Sequence, residues 1–196
     1  MTGTKLRGKV WKFGDNVNTD EIIPSRYCNT FDPEVLKAHV MEGVDPDFAK
    51  RVAPGDIIVA GHNFGTGSSR EAAVVAIKAA GIGAVIASSF ARLFFRNAIN
   101  VGLPVLISPS ASEDLKSGEE IDIDFVTHTI HSRDTGKTYR AREYNGTIQE
   151  IIEAGGMLEY VKERVEANQR KAREHSNEPK NRSGSRKGIE NISSGS

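Results

Sequence analysis

Between residues 61 and 70 the chain reads Gly61-His62-Asn63-Phe64-Gly65-Thr66-Gly67-Ser68-Ser69-Arg70, a glycine-rich turn that delivers two adjacent hydroxyls and a guanidinium. Its glycines let the backbone approach a ligand closely, and an arginine can hold a carboxylate with two parallel hydrogen bonds. An apolar run, Asp56 to Ala60, enters the turn and a helical pattern, Glu71 to Ala80, leaves it, with Gly81 as a stop signal. A strand-to-helix turn gathers unpaired N–H groups at the positive end of a helix, which suits an anion.

The turn does not match the phosphate-binding patterns. No lysine follows Gly67, as a P-loop requires, and Arg70 stands where a dinucleotide fingerprint has its third glycine. The G-x-S-x-G nucleophile elbow is absent as well. A carboxylate is therefore the anion expected here, while an ordinary helix N-cap by Ser68 or Ser69 explains the same residues without a ligand. For a serine to act as a base, a cation or helix end must lower its pKa, and Arg70 with the helix N-terminus supplies both.

Other reactive side chains have blander readings. His62 could be an acid or base, but a lone loop histidine usually only hydrogen-bonds. His39, His128 and His131 lack zinc-site spacing, so no metal is expected on this chain. Arg92 and Arg96 share a helical face and could reach an anion or pair with local acids. Cys28, the only cysteine, excludes an internal disulfide and suits a reducing, cytoplasmic setting. An iron–sulfur cluster takes about four ligands, more than one thiol can provide.

These groups must be positioned by the rest of the chain. Its 196 residues suffice for one domain with a real core, and the balance of 26 basic and 26 acidic residues points to neither nucleic acid nor an anionic membrane. Seven of those bases and three of those acids lie after Gln169, leaving 19 and 23 in the body. Residues 1–169 are expected to form the domain and the polar, Ser- and Gly-rich stretch 170–196 a disordered tail. No apolar h-region follows Met1 and no run approaches membrane-spanning length, so neither a leader nor a span is expected.

Gly8 to Phe13 alternates as a half-buried strand, residues 14–20 read as loop, and Glu21 to Pro24 as a short apolar segment. A polar loop over residues 25–30 precedes a short helix from Asp32 and Pro33 through Val40. Asp56–Ala60, a helix over 68–80 and Ala84–Ala87 form a βαβ unit. A helix over Phe90–Ala98 and a buried strand at Pro104–Ile107 follow. Ile121, Ile123 and Phe125 alternate with acids, and His128–His131 and Lys137–Ala141 flank Asp134-Thr135-Gly136 as a hairpin. Apolar residues from Ile148 to Val165 recur at helical spacing, interrupted by Gly155-Gly156. The class is mixed α/β.

Several segments together resemble the small subunit of 3-isopropylmalate dehydratase, the stand-alone counterpart of the aconitase C-terminal swivelling domain. They are Gly8 to Gly14 with Asn18-Thr19-Asp20, Ile23 to Tyr27, Asn63 to Glu71, Ser89 to Arg92, and Arg96 to Pro104. In order and spacing the likeness spans Gly8 to about Tyr160. It implies a swivelling β/β/α fold and a partnership, as heterodimer or heterotetramer, with a large subunit that carries a [4Fe-4S] cluster. It also implies the interconversion of 2- and 3-isopropylmalate by loss and re-addition of water, in leucine biosynthesis. Carried over to this chain, Ser68 would be the alkoxide-like base, Ser69 would polarise it or bind a substrate oxygen, and Arg70 would clamp a carboxylate of the small diacid. Arg26, Tyr27, Cys28, Asn29 and Thr30 would face the variable substituent. Thr66 and Ala72 depart from the cysteine and histidine usual in the family. A dimethylmalate-, citraconate- or homoaconitate-type substrate, or a paralogue without catalysis, is the alternative those departures raise.

Overall fold

The computed structural model describes residues 5–30, 32–68, 70–144 and 146–177. Seven strands form one mixed sheet in the order β4-β3-β2-β1-β5-β6-β7. The strands are β1 (Lys5–Lys12), β2 (Ile57–Ala60), β3 (Ala84–Ala87), β4 (Val105–Ile107), β5 (Glu120–Asp124), β6 (Thr129–Ser132) and β7 (Thr138–Arg140). Central β1 joins two halves of different character. Its residues Val10 to Lys12 run parallel to Ile57–Val59, and Lys5 to Lys9 pair antiparallel with β5.

Burial follows from that division. Strands β2 and β3 are buried at every residue, as parallel strands covered on both faces must be. Strand β5 alternates, with Ile121 and Ile123 inward and its acids outward. The period of two sorts the parallel strands between two cores. Ile58, Ala60, Val85 and Ala87 pack with Phe48, Ala73, Ile77, Phe94 and Ala98 on one side. Ile57, Val59, Ala84 and Ile86 pack with Leu115, Ile121, Ile123, Ile130 and Tyr139 on the other. The sheet curls until its edges meet: beyond β7 the Arg142 N–H donates to the Ile107 carbonyl of β4 at 2.8 Å. Buried Asp56 fastens the start of β2, accepting from Trp11 Nε1 at 2.7 Å and Ala53 N–H at 2.9 Å.

The helices are α1 (Thr19–Ile22), α2 (Pro33–Lys37), α3 (Phe48–Arg51), α4 (Glu71–Ala79), α5 (Arg92–Val101), α6 (Pro109–Asp114), α7 (Gly146–Glu153) and α8 (Met157–Asn177). The expected βαβ unit is present as β2–α4–β3, and the hairpin as β6–β7. Three of the differences from the sequence reading bear on the site. Helix α4 starts at Glu71 rather than Ser68, because the backbone first makes a tight turn in which Arg70 N–H donates to the Ser68 carbonyl. Helix α5 starts at Arg92 rather than Phe90 because Phe64 and Phe90 form a β-bridge. Helix α1 occupies residues expected to be loop and apolar segment. Asn18 nucleates it, accepting from the N–H groups of Asp20 and Glu21 while the Glu21 carboxylate accepts from the Asn18 N–H, a complete capping box.

The chain to Lys162 is one compact unit, and a second begins at Glu163. The described part of the second is the continuing helix, exposed through Lys171, with Arg170 paired to Glu166 at 3.8 Å. That helix runs past Gln169, where the tail was expected to start, to Asn177, and residues 178–196 lie outside the described residues.

Candidate active site

The glycine turn lies beyond the carboxyl ends of the parallel strands, where open α/β sheets present their ligand sites. Three segments interlock there. Gly65 N–H donates to the Val17 carbonyl and Thr19 N–H to the Thr66 carbonyl, both at 2.8 Å. On the other flank, Phe64 N–H donates to Ser89 at 3.0 Å and Ala91 N–H to Phe64 at 2.9 Å. Residues 64–66 thus act as a short extra strand with a neighbour on each side. The Phe64 ring is buried edge-on against Phe94, with centroids 5.1 Å apart. Gly65 has φ +77°, and a Cβ there would come within 2.2 Å of the Phe94 ring. Only glycine fits, so the turn is rigid up to Thr66.

Ser68 caps this platform and faces outward. Its carbonyl accepts from Arg70 N–H at 2.8 Å and from the Thr19 hydroxyl at 3.2 Å. Its own hydroxyl has no hydrogen-bond partner among the described residues, so it is available to a ligand. Ser68 is not the cap of α4, since Arg70 holds that position without a side-chain cap bond. Ser69 lies outside the described residues. The Arg70 side chain is 21% exposed and one end of its guanidinium pairs with Asp20, whose side chain is 56% exposed. The pair sets the direction of the fork and leaves its other donors for a ligand.

The second predicted cluster, residues 26–30, begins in a 3-10 turn at Ser25–Tyr27. Arg26 is ion-paired with Glu42, and its guanidinium lies 4.7 Å from the Tyr27 ring centroid. The Tyr27 ring also stacks on His39, with centroids 3.7 Å apart and an interplanar angle of 8°. The His39 Nδ1 and Glu42 Oε2 are 2.6 Å apart, which closes a ring of four side chains. Cys28 is half-buried with Sγ 3.8 Å from the Pro24 carbonyl, Asn29 is exposed, and the Thr30 hydroxyl accepts from Asp32 N–H at 3.0 Å.

Helix α1 ties the two clusters together. Thr19 and Asp20 hold the Ser68 turn, while the carbonyls of Glu21 and Ile22 accept from Gly43 and Met41 N–H groups at 3.0 and 2.7 Å. Sequence reasoning named Asp20 and His39 without giving either a role at this site, and passed over Glu42. The Asn18-x-x-Glu21 capping pattern, and the spacing of three between His39 and Glu42, are the signals that mark them.

The remaining candidates stand apart. His62 is exposed and tied by its backbone, its N–H to Asp15 Oδ1 at 2.6 Å and its carbonyl to Asn16 N–H at 2.8 Å. Arg92 and Arg96 are exposed on α5. Ala72, where the family usually has histidine, is buried against the core. No group of three or more His, Cys, Asp or Glu among the described residues could hold a metal ion, and no helix among them is long and apolar enough to cross a membrane.

Comparison with known proteins places this geometry. Residues 40–110 match the model of the aconitase C-terminal domain. The 3-isopropylmalate dehydratase small subunit of Aquifex aeolicus is 54% identical over 162 residues, covering 82% of this chain and 96% of the relative. Small subunit 1 of the enzyme of Methanopyrus kandleri is 48% identical over 157 residues, covering 80% and 92%. The crystal structure of 3-isopropylmalate dehydratase from Methanocaldococcus jannaschii is 47% identical, with a TM-score of 0.82 over 85% of this chain and 99% of that one. With this identity across nearly the full length of its relatives, and with the same fold, the chain belongs to the family of 3-isopropylmalate dehydratase small subunits.

Proposed function

We propose that this chain is the small subunit of a hydro-lyase that interconverts 2- and 3-isopropylmalate in leucine biosynthesis, and that it acts only with a large subunit. The expected [4Fe-4S] cluster is assigned to that large subunit, since Cys28 is the only cysteine of this chain and such a cluster takes about four ligands. When bound, the cluster supplies Lewis-acid activation of the substrate's hydroxyl and carboxylate.

This chain's own part is to seat the diacid and move a proton. Arg70 offers the donors not engaged by Asp20 to a substrate carboxylate. The Ser68 Oγ takes the proton from the carbon alpha to that carboxylate and returns a proton when water re-adds with the opposite regiochemistry. A serine oxygen holds negative charge only where cationic groups favour it, and Arg70 and the N-terminus of α4 lie on the same turn. Ser69 assists at the same oxygen or at the substrate. Residues 26–30 face the substituent that distinguishes one substrate of this chemistry from another.

The observation that carries the reading is the exposed Ser68, its hydroxyl without a partner among the described residues, two residues from an oriented arginine in a chain of this family. The test is turnover of 2-isopropylmalate by the chain reconstituted with its large subunit. Ser68→Ala should lower kcat by about 10²–10⁴, the usual contribution of a positioned base, while substrate binding persists. Normal turnover in that variant removes Ser68 from the chemistry.

A further inference from the structure

The ring of side chains around Tyr27 carries a further inference, which rests on the reading that residues 26–30 face the substrate's variable substituent. Within residues 25–30, Arg26 is the one charged side chain. Exposed to 61%, it would on its own be an attractive seat for a third carboxylate. It is not left alone. The Glu42 carboxylate, only 25% exposed, is shared between two partners, Oε1 toward Arg26 and Oε2 toward His39 Nδ1 at 2.6 Å. The Tyr27 ring contacts both the Arg26 guanidinium and the His39 imidazole, so a shift of the turn would disturb both contacts.

Glu42 itself is held by backbone. The N–H groups on either side of it, those of Met41 and Gly43, donate to Ile22 and Glu21 of α1. A flexible surface acid could follow the arginine toward an incoming ligand; this one is fastened to the helix that also carries the Arg70 partner Asp20. A substituent bearing a carboxylate would therefore meet a neutralised arginine with a fixed negative charge behind it. To bind Arg26 it would have to displace Glu42 and strand a mostly covered carboxylate.

We propose that Glu42 is a specificity-determining residue: paired with Arg26, and steadied by His39, it keeps the substituent-facing turn electrically neutral and selects diacids with an uncharged side group over those carrying a further carboxylate. Glu42 acts through Arg26 and is a positioning residue, not a catalytic one.

The test measures kcat and KM of the reconstituted two-subunit enzyme for 2-isopropylmalate and for an analogue whose side group ends in a carboxylate. Glu42→Gln frees Arg26 and should shift the ratio of kcat/KM values toward the charged analogue by about fivefold, the size of one partly exposed charge pair, mainly through KM. Glu42→Asp, which keeps the charge but withdraws it by one methylene, should shift the ratio in the same sense and by less, and covers the case in which the glutamine variant does not fold. Adding Arg26→Met to Glu42→Gln should return the ratio to that of the wild type. An unchanged ratio in the folded single variants, or a shift that survives the loss of Arg26, overturns the proposal. Failure of the wild-type pair to turn over isopropylmalate would instead overturn the functional reading on which it rests.

Discussion

Replacing Gly65 with alanine tests whether the glycine turn is as rigid as its contacts imply. Gly65 has φ +77°, and a left-handed conformation costs an L-residue about 1–2 kcal/mol. The new methyl would also lie 2.2 Å from Phe94 Cγ and 2.4 Å from Cδ2, whereas carbons rest at about 3.5–4.0 Å. Neither side can yield easily. Phe94 is 2% exposed, edge-on to Phe64 and stacked on Phe90 at 6.1 Å, and the Gly65 N–H is bonded to Val17. Such overpacking adds about 1–3 kcal/mol, for a total of about 2–5 kcal/mol. Gly136→Ala is the control. Its φ is +70° but a Cβ there meets nothing within 4 Å, so it carries the conformational cost alone. Both variants gain equally from a stiffer unfolded chain, so that effect cancels in the comparison. Urea unfolding followed by the fluorescence of Trp11, the only tryptophan, gives both free energies. Gly65→Ala should be the less stable by about 1–3 kcal/mol, or roughly 2–12 °C in Tm for a chain of this size. Equal losses in the two variants would refute the argument that residues 64–66 are locked against α5.

Two further outcomes follow from named contacts. Arg70→Lys keeps the charge but loses the planar fork; a charge-assisted hydrogen bond is worth about 1.5–3 kcal/mol, so KM for isopropylmalate should rise about ten- to hundredfold in the reconstituted enzyme, and an unchanged KM would remove Arg70 as the carboxylate clamp. On β5, the hydrogen bond from Arg7 holds the Asp122 carboxyl below the usual carboxylate range. A depressed folded-state pKa stabilises above the unfolded value and is lost as pH falls through the folded one. Asp122→Asn should therefore lower Tm at pH 7 and converge on the wild type in acid, whereas a gap that does not vary with pH would contradict that assignment.

What could be read from the chain depended on how local its cause was. The β2–α4–β3 unit and the β6–β7 hairpin are written in short apolar runs and in turn residues such as Asp134 to Gly136, so both were legible. Helix α1 was not. One turn of helix shows no period, and Ile22-Ile23 before Pro24 imitates a strand; only the Asn18–Glu21 box betrays it. At the site, Ser68 and Arg70 stood out as neighbours in a glycine-rich turn. Asp20, the partner of Arg70, lies 50 positions away from it, and Glu42 lies 16 from Arg26, separations at which no pattern in the chain signals a pair. Position 72, noted in the sequence only as a departure from the family's usual histidine, lies on the first turn of α4 with its side chain buried in the core.

The shortest helix in the site therefore carries the most consequence. A single turn has no stability of its own in water, because nucleation fixes several residues for one hydrogen bond. Helix α1 exists because both of its ends are claimed: Asn18 and Glu21 close the first end, Thr19 and Asp20 bind the Ser68 turn, and the carbonyls of Glu21 and Ile22 receive Gly43 and Met41. The segment that receives Arg70 and the segment that supports Glu42 are thus fixed to one another through four residues, without a long packed interface. If, as proposed, a diacid is held at one end by Arg70 and judged at the other by residues 26–30, that separation must be constant, and a helix that cannot form unless both turns are in place is a physical means of keeping it so.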